Sequence, residues 1–200
     1  MPSLTSGQLS ALKTNIAANT ATVVVDGQTV QINSVADIGA GADAIAAWYN
    51  GFPGTDFWTW RSDVRRGEIY VAAPAEATTW GWVGFKNQAV AEQNTWLEMF
   101  MPVASGQPNT CNFGNANNRQ GVLDIFGTSG AGGSNRTHIF NSVRRKATNA
   151  EKLFSTPVTG APANTGNDNT VGNQGKTTNP NVMAFEGSLT GQQIVDAMHS

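Results

Sequence analysis

The chain has 200 residues, a formal net charge of −2 and 13% charged residues, compared with about 25% in typical soluble domains. This balance gives no electrostatic argument for binding nucleic acid or an anionic membrane, and the single cysteine, Cys111, excludes an internal disulfide and a cysteine metal cluster. No stretch approaches the ~18 apolar residues of a membrane span, and no signal peptide is recognisable. We therefore expect a soluble protein that is made in the cytoplasm.

The first predicted element is a helix near the N-terminus. Thr5 and Gln8 have the spacing of a capping box. Leu9, Leu12 and Ile16 follow at helical intervals, so the helix should end near Asn19.

A β-hairpin is predicted at residues 22–32. Asp26-Gly27 lies between two β-branched runs, which is a strong short-range hairpin signal. An isolated hairpin is marginally stable in water, so its valines must pack against this subunit or against the next one. We expect the hairpin to project from the body.

The chain is organised around an aromatic stretch between Asp43 and Arg66, which follows an expected loop or short turn at 34–41. A helix through Trp48 should end near Asn50-Gly51, where these residues tolerate a left-handed backbone. Buried aromatic rings dominate protein cores, so core packing is the preferred interpretation. The alternative is an exposed platform for sugars or a partner subunit, formed by Trp48, Trp58 and Trp60.

A central helix is predicted to begin at Phe85 and to be stopped by Pro102. Its apolar stripe is wide, so it should be the most buried helix. An Asn-rich loop at 103–118 and a short helix opening near Asn118 follow. The glycine-rich segment 127–135 lacks the Lys-Ser/Thr ending of a phosphate-binding loop and is predicted to be a flexible connection.

The next predicted helix, capped by Ser134 or Asn135, is basic. A solvated helix face is the preferred interpretation of its charge, and the alternatives are an acidic neighbouring subunit or DNA passing nearby. The cations lie between residues 136 and 152, with Glu151 as the only acid: Arg136, Arg144, Arg145, Lys146 and Lys152.

Residues 156–181 have the composition of a disordered arm, with almost no apolar side chains. We expect such an arm to become ordered only against neighbouring chains, which predicts an oligomer. After it, 182–186 should be extended, and Thr190 with Gln193 forms a second capping box before a final helix.

No catalytic or metal-binding pattern is present. His138 and His199 belong to no metal-ligand spacing, and no nucleophile elbow occurs. Carboxylates are present, but none is framed by a motif. We therefore expect no enzyme activity, no cofactor and no metal.

Four sequence blocks carry a family resemblance: LTSGQLSALKTNIAAN, AIAAWYN with FWTWRSDV, RRKATNAEKLF, and FEGSLTGQQIVDA. In this order they resemble a family of proteins from the structural-gene regions of tailed bacteriophages and prophages. The chain departs from the family pattern at 22–32 and 156–181. The resemblance implies a role in a phage virion or in its assembly, with the chain assembled in the host cytoplasm and located in the virion.

The expected fold is mainly α: a small helical bundle with one β-hairpin and a long extended arm. Its expected parts are a helical body at 1–155, the arm at 156–181, and a C-terminal strand and helix at 182–200 that pack on the body or on a neighbour.

The first functional hypothesis is a head–tail adaptor (connector) ring subunit, because arms and hairpins often complete ring interfaces. Its partners would be further copies of the chain and the portal or tail proteins; packaged DNA nearby is a separate alternative, and no membrane is expected. The other hypotheses are a capsid decoration or tail protein and, in a different class, a Trp-rich carbohydrate-binding or hydrolytic module. The suspected interface residues are Asp26, Gly27, Arg61, Arg65, Arg66, Arg144, Arg145, Lys146, Asn167 and Asn173.

Overall fold

A computed structural model describes residues 3–71, 78–102, 108–156, 175 and 180–200, and within these residues the chain forms nine α-helices, one short 3-10 helix and four two-stranded sheets. The mainly α fold expected from the sequence is confirmed. The chain divides into two compact units, and each has its own apolar core. Unit 1 comprises Met1–Asp56, Ala147–Ser155 and Met183–Ser200; unit 2 comprises Phe57–Lys146 and Thr156–Val182.

Unit 1 is built from four helices and the hairpin. Its elements are α1 (Ser6–Ala18), β1 (Thr22–Val25), β2 (Gln28–Gln31), a 3-10 helix (Ile32–Ser34), α2 (Ile38–Asn50), α8 (Asn149–Phe154) and α9 (Gly191–His199). The four helices pack against one another, although they come from three separate parts of the sequence.

Local caps fix the helices of unit 1. The capping boxes of Thr5 with Gln8 and of Thr190 with Gln193 are both confirmed. Helix α2 begins at Ile38 because Asp37 Oδ1 accepts a hydrogen bond from the backbone N–H of Ala40. The prediction of a loop through Gly41 is therefore wrong, and Gly51 ends the helix in an extended conformation, not a left-handed one.

The hairpin is confirmed, with Val23 opposite Val30 and a turn at Asp26-Gly27. Both turn residues have positive φ, 50° and 77°, as a type I′ turn requires. The hairpin does not project along its whole length, since Val23 is only 8% exposed and belongs to the core of unit 1. The valines that the sequence required to pack find their partners in the same unit.

The core of unit 1 is mainly aliphatic and, among the described residues, includes three buried aromatic rings, Tyr49, Phe154 and Phe185. Leu12 and Ile45 are fully buried, and the Phe154 and Phe185 rings meet edge to face at 5.4 Å. The C-terminal segment packs on this core through Ile194. The expected body at 1–155 thus corresponds to parts of two units, and the final helix completes one of them.

In the part of the chain that the structure describes, unit 2 contains five helices and four short strands: β3 (Trp58–Trp60), β4 (Val64–Arg65), α3 (Arg66–Ile69), α4 (Trp82–Lys86), α5 (Val90–Glu98), β5 (Thr110–Cys111), α6 (Ala116–Ile125), α7 (Gly130–Ser142) and β6 (Arg144–Lys146). Strand β3 pairs with β6 and β4 with β5, both antiparallel. Two further short strands, β7 (Ser155–Thr156) and β8 (Val182–Met183), pair at the boundary of the arm segment.

Unit 2 has an aromatic core. Trp60 and Trp96 are 1% and 0% exposed. The Trp80 and Trp96 rings stack at 5.8 Å, and Trp60 meets Phe140 at 5.7 Å. Edge-to-face and offset arrangements of this kind add stability beyond the buried area.

The predicted central helix from Phe85 to Met101 is wrong as one element. It is interrupted between α4 and α5, where Gln93 Nε2 donates to the Gln88 carbonyl at 2.8 Å and Glu92 accepts from the Ala89 N–H at 2.9 Å. Polar side chains thus satisfy the backbone at the break. Val90 is 73% exposed, so α5 is not the most buried helix.

That place belongs to α7, which was expected to begin only at Ser134 or Asn135. It begins at Gly130 after Ser129, so the glycine-rich segment is largely helical and the prediction of a flexible connection is wrong. Its buried residues are Gly133, Asn135, His138, Ile139, Phe140, Asn141 and Ser142.

Most of the predicted arm at 156–181 lies outside the described residues. Where it is described, it binds β3 of the same chain: Trp58 N–H donates to the Gly175 carbonyl at 2.6 Å and Trp60 N–H to the Asn181 carbonyl at 2.9 Å. At these two residues the partner strand comes from the chain itself. The neighbouring chain that the composition predicts is not required there.

Candidate interaction surface

The arginines that follow the aromatic stretch are partly used inside unit 2. Arg61 Nη2 lies 2.6 Å from Glu68 Oε2 and 3.5 Å from Asp63 Oδ1. The backbone of Arg61 also bonds Val143 and Phe113. Arg61 is therefore an organising residue of the unit, whereas Arg65 is exposed and Arg66 is half-buried.

The predicted basic helix at 136–152 is wrong as an element. Helix α7 ends at Ser142, residues 144–146 form β6, and α8 starts at Asn149 in the other unit. Arg144 is 6% exposed, and its guanidinium lies 5.5 Å from the centre of the Trp58 ring. The five cations therefore share no helix face, and the argument for a basic face near DNA loses its geometry.

The other suspected contact residues also differ in exposure and lie in different units. Arg145 is half-buried and Lys146 is exposed on β6, opposite Thr59 and Trp58. Asp26 and Gly27 are exposed at the hairpin turn of unit 1. Asn167 and Asn173 lie outside the described residues.

The three tryptophans proposed as a sugar platform do not form one surface. Trp48 belongs to unit 1, whereas Trp58 and Trp60 belong to unit 2. Trp60 is buried, and Trp58 is half-buried with Arg144 over its ring. Core packing, the preferred interpretation, describes Trp60 well, but Trp48 and Trp58 remain partly accessible.

His138 is a buried structural residue of α7. Its Nε2 donates to the Ile69 carbonyl at 2.5 Å, and its Nδ1 lies 3.2 Å from Thr78 Oγ1. Ser142 uses its own proton on the His138 carbonyl at 2.8 Å. The serine thus has no free base beside it, and the cluster ties α7 to α3 and to the chain at Thr78.

Arg119 is another buried cation with a structural role. Its Nη1 donates to the carbonyls of Phe113 and Gly114 at 2.6 and 2.9 Å, and its guanidinium lies over the Trp60 ring at 5.2 Å. Burial lowers the pKa of Arg119 to about 10, so the side chain is still charged at neutral pH. It holds the turn before α6 onto the aromatic core.

A distinctive exposed feature of the described residues is the apolar start of α4, which we call the α4 surface: Trp82 and Val83. These side chains are 51% and 68% exposed, and Val71, which follows Tyr70 in the chain, is 60% exposed. Isolated apolar residues on a surface are ordinary, but an exposed tryptophan is typical of contact sites.

The α4 surface has a rigid support. The Trp82 ring lies 4.9 Å from Tyr70 and 5.8 Å from Trp80, which are part of the core cluster or packed against it. Behind it, the buried Asn135 side chain bonds both the N–H and the carbonyl of Gly81 at 2.8 Å. The exposed ring is therefore held in place before any partner binds.

Sequence reasoning missed this surface. The signal available was Trp82-Val83 between Gly81 and Gly84, but the helical pattern is recognisable only from Phe85 onward, so the sequence predicts no element there. The sequence predicts Ser134 or Asn135 as a helix cap. In the structure Asn135 lies in the second turn of α7, and its side chain bonds the backbone of Gly81.

Within the described parts of the chain, no group of three His, Cys, Asp or Glu side chains could hold a metal ion. No helix of these parts is both long and apolar enough to cross a membrane. Comparisons with protein-family models, curated proteins and solved structures found no match to the chain.

Proposed function

We propose that this chain is a structural subunit of a tailed-phage virion, a head–tail adaptor that assembles into a ring of identical copies. The observation that carries the proposal is the α4 surface, an exposed tryptophan and its neighbouring valine on a rigid aromatic support. A preformed aromatic anchor loses little side-chain freedom on binding, which suits a permanent contact between subunits.

The family resemblance supports the same proposal from an independent direction. The blocks AIAAWYN and FEGSLTGQQIVDA fall on α2 and α9, which pack against each other in unit 1. The first block forms α1, which also packs on α9. These three blocks thus build the core of unit 1, whereas FWTWRSDV lies in unit 2 and the exposed α4 surface lies outside all the blocks.

In this role the contact between neighbouring copies would be heterologous, because a ring joins two different patches of the same subunit. The α4 surface would be one of these patches. The arm contributes less to this argument than its composition suggests, since Gly175 and Asn181 bind β3 of their own chain.

The direct test is the mass of the purified chain in solution, measured by light scattering after size exclusion. The unchanged protein should form a ring-sized oligomer, and Val83→Asp should shift it to the monomer, since a carboxylate would be buried without a partner at the contact. Val83 is 68% exposed, so the variant should fold normally. Phe52→Ala, at an exposed residue of unit 1, is the matched control and should keep the oligomer.

Copy number in purified virions separates the adaptor from the other virion roles. An adaptor should be present at the copy number of one ring, whereas a capsid decoration protein would be present in hundreds of copies. A chain that stays monomeric at all concentrations and is missing from virions would overturn the proposal.

A further inference from the structure

Unit 1 contains a cavity of ≈ 370 Å³ between α1, the end of α2 and α8. Its volume lies within the range of about 300–1,000 Å³ that is typical of small-molecule sites. Its lining combines two aromatic rings, two amides, one cation and one aliphatic side chain: Asn15, Trp48, Tyr49, Asn149, Lys152 and Leu153.

The aromatic wall of the cavity is fixed. The Trp48 and Tyr49 rings meet edge to face at 4.9 Å with an interplanar angle of 88°. Asn149 Nδ2 donates to the Trp48 carbonyl at 3.0 Å, and the Asn149 N–H donates to the Gly51 carbonyl at 2.8 Å. Tyr49 is buried, but Trp48 is only half-buried, so part of its ring is available to a bound molecule.

Each amide of the cavity is held by one of its two polar atoms, and the other atom remains available. Tyr49 donates its hydroxyl proton to Asn15 Oδ1 at 2.6 Å, so Asn15 Nδ2 can donate to a ligand. Asn149 Nδ2 is engaged with Trp48, so Asn149 Oδ1 can accept from a ligand. Within the described residues neither of these two atoms has a protein hydrogen-bond partner. The cavity therefore offers one preplaced donor and one preplaced acceptor beside an aromatic ring.

This combination matches the chemistry of a sugar. The C–H face of a pyranose packs on an aromatic ring, and its adjacent hydroxyls both donate and accept hydrogen bonds, as a pair of amides requires. A purely apolar ligand would leave both amides without partners, which costs about 1–3 kcal/mol for each buried group.

We propose that this cavity binds a saccharide unit. The binding site would be separate from the α4 surface, which belongs to unit 2. It would give a virion subunit, or any other assembly that contains the chain, the ability to recognise a glycan. Of the three tryptophans that the sequence offered for sugar binding, only Trp48 lines it.

The experiment is an NMR titration of the full chain with D-glucose, in which the indole N–H of Trp48 is observed. We expect the Trp48 resonance to shift as the sugar binds. Asn15→Asp keeps an acceptor for the Tyr49 hydroxyl but removes the donor into the cavity, so the affinity for this neutral sugar should weaken about tenfold.

Phe52→Ala, at an exposed ring that does not line the cavity, is the matched control and should leave the affinity unchanged. Trp48→Leu gives a second, independent variant that should abolish the binding. Because this variant lacks the indole, its binding is followed at the backbone N–H of Leu153, which also lines the cavity. Absence of any shift at Trp48 with glucose, or equal affinities in the wild type and Asn15→Asp, would overturn the assignment. Loss of the oligomer in Val83→Asp with sugar binding retained would show that the two proposals stand or fall separately.

Discussion

Gly84 of α4 lies against the backbone of Ala131 in α7, so closely that a Cβ added at Gly84 would meet the Ala131 carbonyl oxygen at 2.5 Å. Beside it, Asn135 bonds both polar atoms of Gly81. The two helices therefore touch through backbone where side chains usually intervene. This contact sets the position of Trp82 and hence of the α4 surface.

Gly84→Ala should destabilise unit 2, because backbone atoms cannot move aside as a flexible side chain can. The expected loss in the free energy of unfolding is about 1–3 kcal/mol, as for other overpacking substitutions. Gly67→Ala in α3 is the matched control, since no atom lies within 4 Å of the added Cβ. Stability is measured by denaturant unfolding monitored by tryptophan fluorescence. The free energy of unfolding should fall for Gly84→Ala, and for Gly67→Ala it should stay the same or rise. Equal stability of both variants would contradict the close contact.

The same contact explains why the glycine-rich segment was misread. From the sequence, residues 127–135 carry turn formers and no apolar face, which predicts a loop. In the fold, small residues are what α7 needs where it meets α4 and where Gly133 passes the Thr128 backbone at 2.7 Å from its added Cβ. A helix required by tertiary packing overrides its poor intrinsic propensity, and only the partner helix reveals the requirement.

Sequence patterns that depend on a few neighbouring residues predict the local structure correctly. The capping boxes at Thr5 and Thr190 and the turn at Asp26-Gly27 satisfy backbone groups within three or four residues. The break at Asn87–Ala89 is local, since Gln93 donates to the Gln88 carbonyl, but the apolar stripe that continues across it hides the signal. The strand at 144–146 depends on a distant partner, β3. The candidate sites were missed for the same reason, since Asn15, Trp48 and Asn149 meet only in three dimensions.

The hairpin turn gives a second prediction. Gly27 has φ of 77° with no atom near its added Cβ, so the backbone angle alone opposes a side chain there. Gly27→Val should cost about 1–2 kcal/mol, the price of a left-handed conformation for an L-residue. Gly27→Asn should cost much less, because asparagine adopts this conformation readily. Thermal unfolding of both variants measures the difference, and similar losses for valine and asparagine would rule out a type I′ turn.

Arg119 gives a third prediction. Arg119→Met preserves length but leaves the carbonyl oxygens of Phe113 and Gly114 without their donor, so the free energy of unfolding should fall by about 1–3 kcal/mol. Arg119→Lys keeps a charged donor and should fall between the methionine variant and the wild type. The control, Arg65→Met at an exposed position, should change stability by less than about 0.5 kcal/mol. If Arg119→Met had the same free energy of unfolding as the wild type, the cost of burying the guanidinium would equal the stabilisation from its hydrogen bonds, and the prediction would be wrong.

Cys111 gives a prediction about alkaline stability. Burial raises the pKa of its thiol from 9.0 to about 12, so the folded chain keeps a proton that the unfolded chain loses first. Below pH 9 both states hold the proton and the contribution to stability is constant. Between pH 9 and 12 the unfolded state binds fewer protons, so the free energy of unfolding should fall by up to about 1.4 kcal/mol per pH unit. Cys111→Ala loses a constant amount of stability because its side chain is smaller. After this constant loss is subtracted, the free energy of unfolding of the variant should fall less steeply than that of the wild type between about pH 9 and 10.5, the range that unfolding experiments can reach.

Thiol labelling gives a second measurement of the same burial. A thiol reagent should react with native Cys111 far more slowly than with the denatured chain at pH 8. Rapid labelling of the native chain, or identical slopes for the two proteins, would show that the thiol is not shielded by the core of unit 2.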